Sequence, residues 1–523
     1  MGKLGQLLIL EVSQSSPDWQ DRLFTEFTQT RLIAEKGRNE VIVFDSANTI
    51  AVNDQVTFAY SCKIKPIWLG PKRTGYCFLP FRQYLDPQRN RIRKPEREII
   101  DLRKKSNFPL DHRLQFLRQV IHLIETNDVL INAKVLTSLK VHDQLTEGAY
   151  FIGAEERFPA NTSLRKLIQS CMNSFNFSAK KIVLVKDLPV SDSRFSQFTQ
   201  LLAQTLKRFG LPIQIYTPGL QKLEQRLSDV ETDDLPLDNK IPLWFLISDK
   251  SQSPTRKLIE VMKRCEVLDI PWRRAHASDD FQWSIPDQLP SVIQAYGRHF
   301  VRVGLNQNPL PWSLGIDISH RKTYSRACAA LVDPGGNLMK SVTLDLLDKR
   351  ENLDRSSIQR LVKSALAISY RFGPEDSLLI IRDGRLFESE SADDYTDIFP
   401  GSISFVEFRK YNNPPMLVDQ APPQSPTGVW LNSSPEDWTG FLVTLPQCGK
   451  NEHDRVYKIH MKSSWNGIGL SQRTLAEILA TLSMAPGLGL HPKALPAPIY
   501  WADGIAGASD TDLRFRGQIV TRL

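Results

Sequence analysis

The stretch Pro311-Trp-Ser-Leu-Gly-Ile-Asp-Ile-Ser-His320 sets a carboxylate, Asp317, between two isoleucines, Ile316 and Ile318. Successive side chains of a strand point to opposite faces, so Leu314, Ile316 and Ile318 share one face while Gly315, Asp317 and Ser319 share the other. The apolar face is complete, and the acid is displayed on the far side. Downstream, ACAALV reads as a second strand, Asp333-Pro-Gly-Gly-Asn337 as a turn, and LMKSVTLDL as a third strand. A helix then places Ile358, Leu361, Val362, Ala365 and Leu366 on one face, with a capping box at Ser356-Ser-Ile-Gln359. SLLIIRDGR follows as a buried strand ending in Asp383.

Three antiparallel strands, a helix and a fourth strand form the opening order of the ribonuclease-H-like fold. In such a sheet Asp317 and Asp383 fall on neighbouring strands. Two-metal phosphodiester cleavage needs several carboxylates converging on one place, because hard oxygen ligands must hold two divalent ions about 3.5–4 Å apart. Without cations such a pair would repel and one member would protonate. Two aspartates at strand ends are also common turn formers, so the pair by itself leaves both readings open.

The chain has 523 residues, 41% hydrophobic and 24% charged, the make-up of an ordinary globular protein with room for several domains. No run approaches the roughly 20 apolar residues that span a bilayer, and the start lacks the pattern of a secretory signal, so a cytoplasmic address without a membrane partner is expected. The 6 cysteines are scattered and read as reduced, mostly buried thiols; the 9 histidines form no zinc-like set. A net charge of +8 favours a polyanionic partner, though a basic surface without one fits equally.

Residues 1–160 mix strand-like runs (VIVFDSANTIAV, QVTFAYSCKIKPIWL) with a basic, proline-containing stretch at 87–105 that reads as a solvated linker or helix start. From 161 to 310 the pattern alternates: KKIVLVKDL, PIQIYT and PLWFLISD as strands, SRFSQFTQLLAQTLKRFG and SPTRKLIEVMKRCEVLD as helices, the first closing at Gly210. Alternating strands and helices imply βαβ units and a parallel sheet.

Residues 311–523 resemble the PIWI domain of the prokaryotic Argonautes. GIDISH is similar to the strand with that family's first catalytic aspartate, and IIRDGR to its Arg-Asp-Gly strand end. FVEFRKYNNPP resembles the following strand and its lysine, here Lys410, and LPAPIYWADGIAG the helix start with the last metal ligand, here Asp503. The resemblance places the glutamate of the family's mobile loop at Glu351 in DKRENLDRSSIQ, near Asp348 and Asp354. It implies a catalytic set of Asp317, Glu351, Asp383 and Asp503, with Mg²⁺ or Mn²⁺ held by the three aspartates.

Upstream, 161–310 resemble the MID domain, which in that family holds the 5′ end of a guide strand. Lys263 keeps a family cation, Ile259 stands where a tyrosine is usual, Arg273 stands near a usual glutamine, and Arg302 falls where a second lysine belongs. The family's arginines at guide phosphates correspond to Arg514 and Arg516, and its terminal carboxylate to that of Leu523.

The resemblance thus implies an α/β architecture: a mixed α+β N-terminal region (1–160), a Rossmann-like parallel MID domain (161–310) and a ribonuclease-H-like PIWI domain (311–523), with the guide 3′-end (PAZ) domain absent or reduced. The implied activity is guide-directed endonucleolytic cleavage of a complementary DNA or RNA target, in defence against foreign nucleic acid. A guide-binding module without cleavage, working with an accessory protein, is the alternative. An actin-like ATPase or sugar kinase is more remote, because Ser319 replaces the glycine its phosphate hairpin uses.

Overall fold

The computed structural model describes residues 17–53, 56–70, 73–88, 110–126, 143–152, 156–160, 180–228, 243–248, 254–267, 272–294, 301–306, 310–320, 324–346, 355–367, 372–384, 397–410, 428–434, 439–444, 456–461, 470–485, 495–508 and 520–522, with a few shorter pieces. The chain forms two compact units, Met1–Gln144 with Phe408–Gln424 and Val429–Ser463, and Leu145–Glu407 with Ser425–Gly428 and Ser464–Leu523.

The first unit contains an antiparallel sheet in the order Ile33–Lys36, Val41–Asn53, Val56–Gly70, Arg73–Leu85, Ile9–Val12, Lys134–Val135. Helix Trp19–Thr28 buries Trp19, Leu23 and Phe27, each four residues from the last. Helix Leu110–Thr126 adds Leu117, Val120, Ile121 and Ile124 to the same core, with Tyr76 and Phe78 from the sheet. The region is mixed α+β, as expected; the basic stretch at 87–105 lies almost wholly outside the described residues.

In the second unit, four strands and four helices alternate: β1 (Lys180–Lys186), α1 (Asp192–Phe209), β2 (Ile213–Tyr216), α2 (Leu220–Ser228), β3 (Leu243–Ile247), α3 (Arg256–Val267), β4 (Trp272–His276) and α4 (Phe281–Gln294). The strands pair in parallel in the order β2-β1-β3-β4. All of β3, LWFLI, is buried, as a strand covered on both faces must be. Helices α2 and α3 cover one face with Leu223, Leu227, Leu258, Val261, Met262 and Cys265. On the other, Phe198 of α1 packs edge-on against Trp244 and against Phe281 of α4. α1 starts where Ser191 accepts the Arg194 N–H and stops at Gly210, whose φ of 72° is the left-handed conformation glycine adopts without strain.

The second sheet of this unit is built from β6 (Trp312–His320), β7 (Ser325–Val332), β8 (Leu338–Leu346), β9 (Ser377–Asp383) and β10 (Ser402–Arg409), with β11 (Val520–Arg522) on the outer edge of β8. Ahead of it, β5 (Val301–Leu305) pairs with Gly148–Ile152, which pairs with Glu156–Pro159. The order β8-β7-β6-β9-β10, antiparallel across β6-β7-β8 and parallel between β6 and β9, is that of the ribonuclease-H-like sheet. Helix α5 (Arg355–Leu366) covers one face with the five apolar residues its periodicity predicts. It already includes Arg355, so Ser356 lies in its first turn rather than at the expected cap. Helix α6 (Gln472–Leu482) packs on β5 and on Gly148–Ile152, and helix α7 (Ala497–Ala506) lies across β6, β7, β8 and β9.

Candidate active site

Strands β6 and β9 run parallel with Ile316 opposite Arg382, so one further step sets Asp317 beside Asp383. Side chains in register on adjacent strands point to the same face, and such strands lie about 4.8 Å apart. Asp317 is 5% exposed and Asp383 half-buried. Its flanking residues Leu314 and Ile316 join the core under α5, so the alternation read from the sequence separates apolar and acidic faces as expected.

Helix α7 covers the acidic face. Cys328, the cross-strand partner of Asp317, packs with Ala330 against Ala502, Ile505 and Ala506. At its start the helix touches the strand backbone directly: a Cβ on Gly315 would lie 2.2 Å from the carbonyl carbon and oxygen of Pro498. Glycine is what lets the helix approach this closely. Asp503 stands half-buried in the last turn of α7. The described part of the expected centre is therefore an aspartate pair set by strand register, with a third carboxylate on the helix that covers the same face. Among the described residues no group of three or more His, Cys, Asp or Glu side chains lies ready to hold a metal ion. Glu351, with Asp348 and Asp354, lies outside the described residues. In donor chemistry Asp317 and Asp383 fit Mg²⁺ or Mn²⁺, since both offer hard carboxylate oxygens.

Trp312 meets Phe372 edge-on with centroids 4.9 Å apart, and Trp501 meets Tyr500 likewise at 5.8 Å. His320 is exposed, and its Nδ1 shares a 2.8 Å hydrogen bond with the Ser325 hydroxyl where β6 leads into β7.

No family model matches the sequence, and no curated protein sequence does. Solved structures do match. The chain is similar to Clostridium butyricum Argonaute bound to a guide DNA and a 19-mer target DNA, at 12% identity and a TM-score of 0.66 over 97% of this chain and 87% of that one. It is similar to Drosophila Piwi at 11% identity and a TM-score of 0.60, over 93% and 82%. Marinitoga piezophila Argonaute, in complex with 5′ OH guide RNA and target DNA, aligns at 12% identity and 0.58 over 94% and 85%. The fold is that of the Argonautes. In Argonaute terms the parallel sheet β1–β4 is the MID-like part and the sheet around β6 the PIWI-like part.

The cations expected at a guide strand in this Argonaute fold sit on separate elements. Lys263 is exposed on α3 and Arg273 on β4, where its Nη1–H donates to the Trp272 carbonyl oxygen at 2.9 Å. Arg302 is exposed on β5, its Cγ beside Gly335 in the β7–β8 turn, at the end of the sheet away from Asp317. Lys410 is half-buried just after β10. Arg514, Arg516 and Leu523 lie outside the described residues. Ile259, where the family's tyrosine would stand, is packed against the MID-like core. The start of α3 already faces an acid: buried Asp187, just past β1, accepts the Thr255 N–H at 2.9 Å and the Thr255 hydroxyl.

Sequence reasoning overlooked several buried charges, Arg326 and Glu477 among them. Arg326 on β7 is fully buried against Asp345 and the carbonyl of Ala508, and its signal was an arginine inside the otherwise apolar run SRACAALV. Glu477 on α6 is 2% exposed and accepts the N–H of Thr146 at 2.9 Å and of Glu147 at 3.3 Å. Burial pushes its carboxyl up to about 7, against the two N–H bonds that favour the charged form.

Proposed function

We propose that the chain is a guide-directed endonuclease: it holds a short nucleic-acid guide, pairs it with a complementary DNA or RNA target, and hydrolyses the target strand. The observation that carries this reading is the β6–β9 register, which sets Asp317 and Asp383 side by side on the face that α7 covers. Neighbours of the same fold bound to guide and target strands support the nucleic-acid part.

In this reading Asp317, Asp383 and Asp503 would hold Mg²⁺ or Mn²⁺, and Glu351 would complete the catalytic set. When bound, the ions supply a water nucleophile at neutral pH and neutralise charge on the scissile phosphate. The chain's own residues contribute placement. The strand ladder fixes two carboxylates, and the close seat of α7 on Gly315 fixes the start of the helix over their face. Lys263, Arg273, Arg302, Lys410, Arg514 and Arg516 serve the guide backbone, while base pairing supplies target sequence. Defence against foreign nucleic acid in the cytoplasm is the role that fits such an activity.

The test is cutting of a labelled single strand by purified protein loaded with complementary guides of DNA or RNA, with Mg²⁺ or Mn²⁺. Cutting should require the guide and the ion, and Asp317→Ala or Asp383→Ala should reduce it to background while guide binding persists. Cutting that survives Asp383→Ala refutes the assignment. Guide binding without cutting under every combination makes the chain a binding module that serves an accessory protein.

A further inference from the structure

Helix α7 meets the sheet largely through small side chains: Ala502 and Ala506 face Cys328 and Ala330, with Ile505 beside them and the partly buried Leu338 and Trp501 packed against the cluster. Small facing residues offer little to interlock along a helix axis. Its position is set at its two ends. At the start Pro498 rests on the backbone at Gly315. At the finish the chain turns through Gly507, whose N–H donates to the Asp503 carbonyl oxygen at 2.9 Å, and Ala508, whose N–H donates to the Ile505 carbonyl oxygen at 3.1 Å.

Ala508 is where Arg326 acts. Arg326 stands two residues before Cys328 on β7, hence on the face that α7 covers, and it is 0% exposed. Directly across the ladder is Asp345 of β8. The guanidinium grips that carboxylate in a fork, Nε–H to Oδ1 at 2.6 Å and Nη2–H to Oδ2 at 3.0 Å. Its remaining arm, Nη1–H, donates to the Ala508 carbonyl oxygen at 3.0 Å, and Nη2 also reaches the Tyr324 hydroxyl at 3.0 Å. A guanidinium is planar and rigid, so a fork anchored on two strands fixes where the third contact must be. Burying an arginine is costly, and an apolar residue could fill the same space.

We propose that Arg326 is a positioning residue: by fixing the Ala508 carbonyl on β7 and β8 it sets the end of α7, and through it the place of Asp503 relative to Asp317 and Asp383. The proposal rests on the nuclease reading above. It makes Arg326 an outer support of the metal centre, and loss of such supports lowers metal affinity by about 10–100-fold.

The experiment measures Mn²⁺ binding to the full, guide-free chain by electron paramagnetic resonance of the free ion, with melting temperature followed in parallel. Arg326→Gln should weaken Mn²⁺ binding by about tenfold or more, and Arg326→Lys, which keeps the charge but cannot span Asp345 and Ala508 together, should fail to restore it. In an Asp503→Ala background Arg326→Gln should add nothing. If Arg326→Gln does not fold, Arg326→Lys is read in the same way. Mn²⁺ affinity unchanged in the folded variants, or equally lowered with and without Asp503, overturns the proposal and leaves the nuclease reading standing. Mn²⁺ binding that ignores Asp317→Ala overturns that reading, and this inference with it.

Discussion

Asp317 and Gly315 share one face of one strand and answer to different constraints. The aspartate is buried beneath α7, yet the apolar core does not draw on its acid, because the apolar work of the strand is done by Leu314 and Ile316 on the other side. Gly315 has no such freedom, since any Cβ there meets the Pro498 carbonyl group at 2.2 Å. Gly315→Ala should therefore destabilise the protein by about 1–3 kcal/mol, the usual cost of overpacking a closed contact, and a denaturant titration of the variant against the parent checks it. Both aspartates of the pair were legible in the sequence because strand alternation and strand ends leave a period-two mark. Arg326 was not: its partners Asp345 and Ala508 are 19 and 182 residues away in sequence, and no local pattern encodes them.

At the scale of elements, α6 is tied to the segment before Gly148–Ile152 by one side chain, Glu477, whose two oxygens take the N–H groups of Thr146 and Glu147. Burial raises its carboxyl first of all; Glu147 nearby adds to the rise and Arg473 opposes it. The folded value of about 7 exceeds the ordinary 4.5, so between these values the folded state binds the proton more than the unfolded chain does. Stability from this group is then lost as pH rises through that window. Glu477→Gln removes the titration, so the melting temperature of the parent minus that of the variant should fall as pH is raised from about 5 to about 8. A difference that stays flat shows that the group does not titrate there. The helices themselves were legible where apolar spacing is regular: α1, α3 and α5 run as read, with α1 ending at Gly210. The start of α5 was misread because Ser356-Ser-Ile-Gln359 carries the letters of a capping box just inside a helix that already includes Arg355.

Across the whole molecule, the parallel sheet and the core of the sheet around β6 follow from local patterns, because strand-helix alternation and hairpins join neighbours in sequence, whereas β5 with Gly148–Ile152 and β8 with β11 pair segments far apart in the chain. The N-terminal sheet was less legible. Its long strands from Val41 to Leu85 are consecutive hairpins, but Ile9–Val12 sits between Arg73–Leu85 and Lys134–Val135, a placement set by distant pairing. Glu351 and the C-terminal arginines lie outside the described residues, so of the expected site only Asp317 and Asp383 on neighbouring strands and Asp503 on α7 are described. The net charge of +8 bears on the whole chain's partner. Affinity for a short single-stranded guide should fall with salt, with a slope of about −0.7 per phosphate neutralised. Lys263→Ala should make that slope shallower by about one such step; fluorescence anisotropy across a salt series measures it, and an unchanged slope removes Lys263 from the guide contacts.

The direct seating of α7 on Gly315 has a consequence for how this sequence tolerates change. A library screened for soluble expression alone should accept uncharged residues no larger than aspartate at Asp317, whose acid the core does not need, and reject nearly all at Gly315. A library screened for cutting should reject both. Position 317 would then separate the two screens and position 315 would not, so the pair distinguishes what the architecture demands from what the chemistry demands within a span of three residues.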